Sequence, residues 1–155
     1  MIIIGYQGIG KSTLAGKNNC IDLESGNFWH NGVRPDNWYV FYCQIAEHLS
    51  QQGYTVFVSS HEVVRNRLKK YSKEALFIVY PAIELKEVWI DKLKKRFEYS
   101  KLEKDFKSWM NAKDRYIDNI NELKNSGIQY VEISDVHYSL RGIVNNLSER
   151  KEDEI

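Results

Sequence analysis

The chain opens with a short apolar segment that runs directly into a glycine-rich turn, and this combination restricts the fold more than any other feature. The segment Met1-Ile2-Ile3-Ile4 is rich in β-branched residues and has no polar interruption, which predicts a buried strand. The turn begins at Gly5 and ends at Lys11-Ser12-Thr13, where a helix is predicted to start. A strand, a tight turn and a helix in this order are expected from a sheet that helices cover.

The turn also has the spacing of a phosphate-binding loop. Residues 5–13 fit the pattern G-x-x-x-x-G-K-[ST] at every fixed position. Glycines let the backbone turn tightly and direct its N–H groups at phosphate oxygens, and a helix N-terminus adds partial positive charge. The pattern predicts that Lys11 reaches the β- and γ-phosphates and that the Ser12 hydroxyl binds Mg²⁺. The full set of predicted phosphate-binding residues is Gly8, Ile9, Gly10, Lys11, Ser12 and Thr13. A chance glycine-rich turn is the alternative, and the strand–loop–helix context disfavours it.

Length, charge and cysteine content limit the class of protein. The 155 residues fit one domain, and 43% hydrophobic residues suffice for a core. A net charge of +1 argues against a dedicated nucleic-acid binder. Cys20 and Cys43 have no metal or redox spacing, which favours a reducing compartment. No apolar run has the length of a membrane span and the first strand leaves no room for a signal peptide, so we expect a cytoplasmic protein without a membrane partner.

Strand and helix patterns alternate along the chain. The best strand patterns are apolar without alternation, which indicates a parallel sheet covered on both faces and hence an α/β fold. We predict one domain over residues 1–150 and a charged tail over 151–155, with fraying from residue 148. The predicted strands are 1–5, 19–23, 54–60, 75–80 and 128–133. The predicted helices are 11–17, 38–52, 62–71, 84–99, 102–125 and 136–147.

Apolar residues at helical spacing predict which helix faces are buried. In the second helix the predicted face contains Trp38, Phe41, Ile45, Ala46 and Leu49. In the fourth it contains Leu85, Val88, Trp89 and Leu93, and in the fifth Phe106, Trp109, Met110, Ile117, Ile120 and Leu123.

Signals of two other nucleotide-dependent classes are missing from the sequence. A GTPase would carry a base-recognition motif of the Asn-Lys-x-Asp type, and none is present. A motor or transporter usually has an apolar strand ending in Asp, whereas the third strand ends in Ser59-Ser60-His61. A small phosphotransferase remains.

In the loop over residues 5–13 and in the order and length of its elements, the chain resembles the P-loop nucleoside monophosphate kinase superfamily, which includes adenylate, thymidylate and shikimate kinases. The loop is a specific motif match, and the rest is arrangement. The resemblance implies a three-layer P-loop NTPase fold with a five-stranded parallel sheet in the order 2-3-1-4-5. It also implies transfer of the γ-phosphoryl group of ATP, with Mg²⁺, to a small acceptor, above all a (deoxy)nucleoside monophosphate. The acceptor would bind between the second strand and the helix that follows it, and a lid would come after the fourth strand.

The acceptor side contains two carboxylates at the end of the second strand. Asp22 and Glu24 are two residues apart, so both lie on one side of an extended strand. Asp22 is a candidate catalytic residue that would orient a Mg²⁺-bound water or accept a proton from a hydroxyl. Glu24 is a candidate acceptor-binding residue. The alternative is that both cap a turn.

Aromatic and basic residues follow the carboxylates. Trp29 suits stacking on a ring and Arg34 suits an acceptor phosphate, whereas Trp38 is expected in the core. His61, after the third strand, is expected to hold the acceptor or a Mg²⁺-bound water. Capping of the next helix is the alternative for His61.

The segment 94–116 is the predicted lid. Arg96 is predicted to stabilise charge on the transferring phosphoryl group, because a guanidinium presents a fixed fork of donors. Arg115 is the second candidate lid arginine. The alternative is an ordinary solvated helix, which the spacing of Glu87, Asp91 and Lys95 favours.

Two other functions remain open from the residues alone. The chain could be a nucleotide-binding regulatory protein or slow NTPase, or it could be a kinase of polynucleotide 5′ ends whose loop aromatics stack on a terminal base. The sequence does not predict the oligomeric state.

Overall fold

The computed structural model describes residues 1–29 and 31–153, so His30 lies outside the described residues. Five parallel strands form one sheet in the order β2-β3-β1-β4-β5, which confirms the α/β class and the predicted order 2-3-1-4-5. The strands are β1 Ile2–Gly5, β2 Cys20–Asp22, β3 Thr55–Val58, β4 Leu76–Pro81 and β5 Tyr130–Ile133.

Helices cover both faces of the sheet. Short 3₁₀ turns at Ser25–Phe28 and Ile83–Leu85 precede the second and fourth helices. The helices are α1 Lys11–Leu14, α2 Trp38–Gln51, α3 Glu62–Tyr71, α4 Lys86–Ser100, α5 Glu103–Lys124 and α6 Leu140–Asp153.

The central strand β1 explains why its sequence is apolar throughout. Ile2, Ile3 and Ile4 are fully buried, because β1 pairs with β3 on one side and with β4 on the other. A strand in this position has helices above and below it, so neither face admits a polar residue.

Two helices, α1 and α6, differ from the sequence prediction by more than two residues at a boundary. Helix α1 ends at Leu14 rather than at residue 17, because Ala15 has ψ 135° and Gly16 has φ 78°, both outside helical geometry. Helix α6 begins at Leu140 and continues to Asp153, so the prediction of a frayed segment from residue 148 is wrong over 148–153. Burial of Val144 and Leu147 holds α6 against the core, whereas residues 154 and 155 lie outside the described part of the chain.

The predicted buried faces are right only in part. In α2, Trp38 and Ala46 are buried as predicted, but Phe41 and Ile45 are 59% and 42% exposed, and Tyr42 is buried in their place. The tyrosine at position 42 belongs to the core because its hydroxyl finds hydrogen-bond partners there. The same error affects the later helices, where three predicted core residues are at least 42% exposed: Val88, Phe106 and Ile117.

The pairing register brings the carboxyl ends of three strands to one edge of the sheet. Ile4 pairs with Val58, and Asp22 pairs with Phe57. The loop after β1 therefore lies beside the residues that follow β2 and β3. In open parallel sheets ligands bind at this edge.

Candidate functional site

The glycine-rich loop between β1 and α1 has backbone geometry that other residues would disturb. A Cβ atom at Gly5 would lie 2.7 Å from Ile9 Cδ1 and 2.9 Å from Lys11 Cδ, closer than packed atoms come. Gly8 has φ 84°, and a Cβ there would lie 3.0 Å from Leu93 Cδ2 and 3.1 Å from Trp89 Nε1. The loop is thus compact and packs directly against α4.

Consecutive backbone N–H groups of this loop have no hydrogen-bond partner among the residues that the structure describes. The amides of residues 7 to 12 donate no hydrogen bond to any described residue, whereas the amides of Tyr6 and Thr13 donate to Val79 O and Gly10 O. Six free donors in a glycine-containing turn form a concavity that suits an anion. Because α1 has only four residues, its dipole contributes little. An anion bound here would be held mainly by loop amides and by Lys11.

Lys11 lies across the loop, with Nζ 3.4 Å from the carbonyl oxygen of Gly5. Burial lowers the pKa of the Lys11 ammonium, and the carboxylates of Asp22 and Glu24 act in the opposite direction. Burial raises the pKa of Asp22, with Glu24 adding to the rise and Lys11 opposing it. The charges of Lys11 and Asp22 therefore affect each other's pKa, which is common between charged residues of one functional site.

The Tyr42 hydroxyl connects the ends of two strands that border the cleft. It donates to the carbonyl oxygen of Leu23 at 2.6 Å and accepts from the backbone N–H of Ser59 at 2.8 Å. These two bonds fix the segments carrying Asp22 and His61 relative to each other. The sequence analysis did not predict a role for Tyr42. The one signal in the sequence was a residue with a hydroxyl group beside the apolar positions of this helix.

Arg34 and His61 both lie against Trp38. The guanidinium carbon of Arg34 lies 3.9 Å from the centre of the Trp38 ring and 5.1 Å from that of Trp29. The His61 ring packs edge to face on Trp38 at 5.3 Å, and its Nδ1 is 2.8 Å from Ser59 Oγ. Burial lowers the pKa of His61, and the charges of Arg34 and Lys11 lower it further, which favours a neutral ring. Trp38 is buried as predicted and also supports both polar residues.

The predicted lid, residues 94–116, belongs to a hairpin formed by α4 and α5. Gln7 of the glycine-rich loop forms hydrogen bonds with both helices of this hairpin. Its Nε2 donates to Ser108 O at 3.0 Å and to Asn111 Oδ1 at 3.2 Å, and its carbonyl oxygen accepts from Trp89 Nε1 at 2.9 Å. The hairpin is therefore packed on the loop in this structure, and sequence reasoning did not identify Gln7 as the residue that connects them.

The two predicted lid arginines have carboxylate partners. Arg96 Nε lies 3.1 Å from Asp105 Oδ1, and the Asp105 side chain is 5% exposed and also accepts from Ser100 Oγ at 2.5 Å. Arg115 is the point at which α5 leaves helical geometry, with φ −134° and ψ 18°, and its Nη2 lies 3.4 Å from Glu122 Oε1. The contact with the buried Asp105 anchors Arg96 at the wall of the cleft, whereas the contact between Arg115 and Glu122 is longer and exposed.

The predicted site residues other than Ile9 come together in one cleft of about 1210 Å³. Ile9 is buried and lines a separate recess of about 290 Å³ behind the loop, together with Thr13, Lys92 and Tyr138. The predicted residues that line the large cleft are Gly8, Gly10, Lys11, Ser12, Thr13, Asp22, Glu24, Trp29, Arg34, His61, Arg96 and Arg115.

The described residues contain no group of three or more His, Cys, Asp or Glu side chains arranged to hold a metal ion. They also contain no helix that is both long and apolar enough to cross a membrane.

In comparisons with known proteins, no family model matches the chain and no curated protein sequence matches it.

Proposed function

We propose that this protein is an ATP-dependent phosphotransferase that moves the γ-phosphoryl group to a small acceptor, with a (deoxy)nucleoside monophosphate as the preferred acceptor. The observation that carries the proposal is the run of free N–H groups at residues 7 to 12 beside Lys11. These donors face a cleft that also contains Asp22 and Arg34, so donor and acceptor groups have space at one edge of the sheet.

The donor side follows from the loop. The free amides and the Lys11 ammonium would bind the β- and γ-phosphates of ATP. Ser12 and Asp22 line the same cleft and offer oxygen ligands, which fit Mg²⁺, an ion that commonly takes one or two protein ligands beside phosphates and water. Bound Mg²⁺ would offset the negative charge of the phosphates. The recess beside Tyr138 offers an aromatic wall for the nucleobase.

The acceptor side lies beyond β2 and β3. Trp29 is half exposed and would stack on the acceptor ring, while Arg34 would pair with an acceptor phosphate. Glu24 and His61 would bind polar groups of the acceptor. Asp22 would orient the attacking oxygen, which forms the new bond to the γ-phosphorus as the bond to the β-bridging oxygen breaks and ADP leaves.

The hairpin supplies charge and excludes water. Arg96 would stabilise the transferring phosphoryl group from its position on Asp105, and Arg115 would add a second guanidinium. The hairpin, which packs on the loop through Gln7, would limit hydrolysis of ATP by water.

The test is a panel in which ATP and Mg²⁺ are combined with each NMP and dNMP, shikimate-like metabolites and a 5′-hydroxyl oligonucleotide. Phosphorylation of one mononucleotide supports the proposal, and Lys11→Ala should abolish it while Lys17→Ala, an exposed lysine that does not line the cleft, should not. Wild-type turnover in Lys11→Ala would refute the assignment of the loop. ATP binding without any acceptor would favour the regulatory protein or slow NTPase, and transfer to the oligonucleotide alone would favour the end kinase.

A further inference from the structure

One carboxylate, that of Glu122 in α5, contacts guanidinium groups from two different helices. Its Oε2 lies 3.5 Å from Nη2 of Arg65 in α3, and its Oε1 lies 3.4 Å from Nη2 of Arg115 in α5. All three side chains line the large cleft. We call Arg65 and Arg115 the arginine pair.

The arginine pair is only partly satisfied by Glu122. Charge-assisted N–H···O bonds are usually about 2.7–2.9 Å long, so both contacts are long and neither uses the two-pronged geometry of a guanidinium. Two positive charges face one negative charge, which leaves a net positive charge at the cleft wall.

The three side chains differ in how firmly they are held. The Arg65 side chain is 8% exposed, and its Nε donates to the carbonyl oxygen of Ser60 at 3.0 Å, so its orientation is fixed. Glu122 is 48% exposed and Arg115 is 55% exposed. The carboxylate can therefore leave into solvent while Arg65 stays in place.

We propose that the arginine pair is a subsite for a phosphomonoester and that Glu122 occupies it in the free protein as an internal substitute for that anion. A phosphomonoester carries nearly two negative charges and three acceptor oxygens near neutral pH, so it matches two guanidiniums better than one carboxylate does. The subsite deepens the proposed function, on which it rests, because it adds Arg65 and Arg115 to Arg34 as partners of the anionic end of the acceptor. Glu122 then sets acceptor affinity, since each binding event must displace it.

The alternative is that Glu122 is a structural connection between α3 and α5. The two readings differ in the effect of Glu122→Gln. As an internal substitute for the anion, Glu122 weakens anion binding, and its neutralisation should strengthen binding with little change in the urea midpoint. As a structural connection, its neutralisation should lower the urea midpoint and leave anion binding unchanged or weaker.

The experiment is calorimetric titration of the full chain, at low salt and without ATP, with inorganic phosphate, a nucleoside monophosphate series, a sugar phosphate and the matched nucleosides. Glu122→Gln should bind the phosphomonoesters about two- to fivefold more tightly, the range expected for one partly exposed charge contact. The nucleosides should show no gain. The control is Glu98→Gln, an equally exposed glutamate paired with Lys94 in α4, which should leave all affinities unchanged.

A double variant locates the effect. Anions also bind at the glycine-rich loop, so the gain in Glu122→Gln must disappear in Glu122→Gln/Arg115→Gln, which removes an exposed member of the arginine pair without changing the loop. A gain that persists in the double variant, or no gain in Glu122→Gln, overturns the proposal. Inorganic phosphate binding with a gain equal to that of the esters would assign the subsite to the free anion rather than to an acceptor. Failure of ATP to bind would overturn the proposed function. The phosphomonoester titrations of Glu122→Gln and of the double variant would still test the arginine pair, because they are made without ATP.

Discussion

Replacement of Gly8 by alanine should damage the glycine-rich loop in two separable ways. With φ at 84°, an alanine would adopt a left-handed conformation, which costs about 1–2 kcal/mol. Its Cβ would also lie 3.0 Å from Leu93 Cδ2 and 3.1 Å from Trp89 Nε1. Trp89 cannot yield freely because its indole N–H donates to the carbonyl oxygen of Gln7. Such overpacking costs about 1–3 kcal/mol, giving a total of about 2–5 kcal/mol.

Gly16→Ala provides the matched control. Gly16 has φ 78°, nearly the same as Gly8, but a Cβ there would meet no atom within 4 Å. Its replacement should cost only the backbone part, about 1–2 kcal/mol. The difference between the two variants therefore measures the close approach of the loop to α4.

Urea unfolding, followed by far-UV circular dichroism, measures both variants. With a slope of about 1–3 kcal/mol per molar urea, the extra cost at Gly8 should lower the midpoint by roughly 1 M relative to Gly16→Ala. Gly8→Ala should also weaken ATP binding, whereas Gly16→Ala should not. Equal midpoints for the two variants would refute the reasoning, because they would show that Trp89 and Leu93 give way without cost.

The remaining predictions concern two charged groups of the cleft. Burial lowers the pKa of Lys11, so the affinity for ATP should fall as the pH rises through that lowered pKa, before the range of an ordinary lysine. An arginine in place of Lys11 stays charged over this pH range, so Lys11→Arg should remove the fall in ATP affinity. A fall that persists in Lys11→Arg would show that deprotonation of Lys11 does not cause it. Asp105→Asn should lower the free energy of unfolding by about 1–3 kcal/mol, because the buried carboxylate holds Arg96 and Ser100. The control Glu103→Gln, whose carboxylate is 81% exposed beside Lys107, should change it by less than about 0.5 kcal/mol, and an equal effect of both variants in urea would refute the role of Asp105.

The parallel sheet was predictable because its signals are local. Each strand that is buried on two faces is apolar throughout, as Ile2 to Ile4 illustrate, and the resemblance carried by the loop implied the strand order. The faces of the helices were less predictable. Phe41 and Ile45 are apolar but exposed, whereas Tyr42 is buried, because the docking of α2 on the sheet decides the face and a hydroxyl with two partners is accepted in the core.

The contacts that shape the candidate site join residues that are distant in sequence. Gln7 and Ser108 are separated by 101 residues, and Arg65 and Glu122 by 57. No local pattern encodes such pairs, since they depend on where α5 packs. Residues at or just after strand ends, such as Asp22 and His61, were easier to predict, because the carboxyl ends of parallel strands always meet at one edge.

The bond between the Trp89 indole and the Gln7 carbonyl makes the glycine-rich loop optically observable. Trp89 is 1% exposed, and the single hydrogen-bond donor of its side chain contacts the loop at 2.9 Å. Any rearrangement of the loop must change the polarity around this ring and hence its fluorescence. A chain in which Trp29, Trp38 and Trp109 are replaced by phenylalanine would carry Trp89 as its single tryptophan, and the emission of that residue, excited selectively over tyrosine, would record ligand arrival in real time without an attached dye.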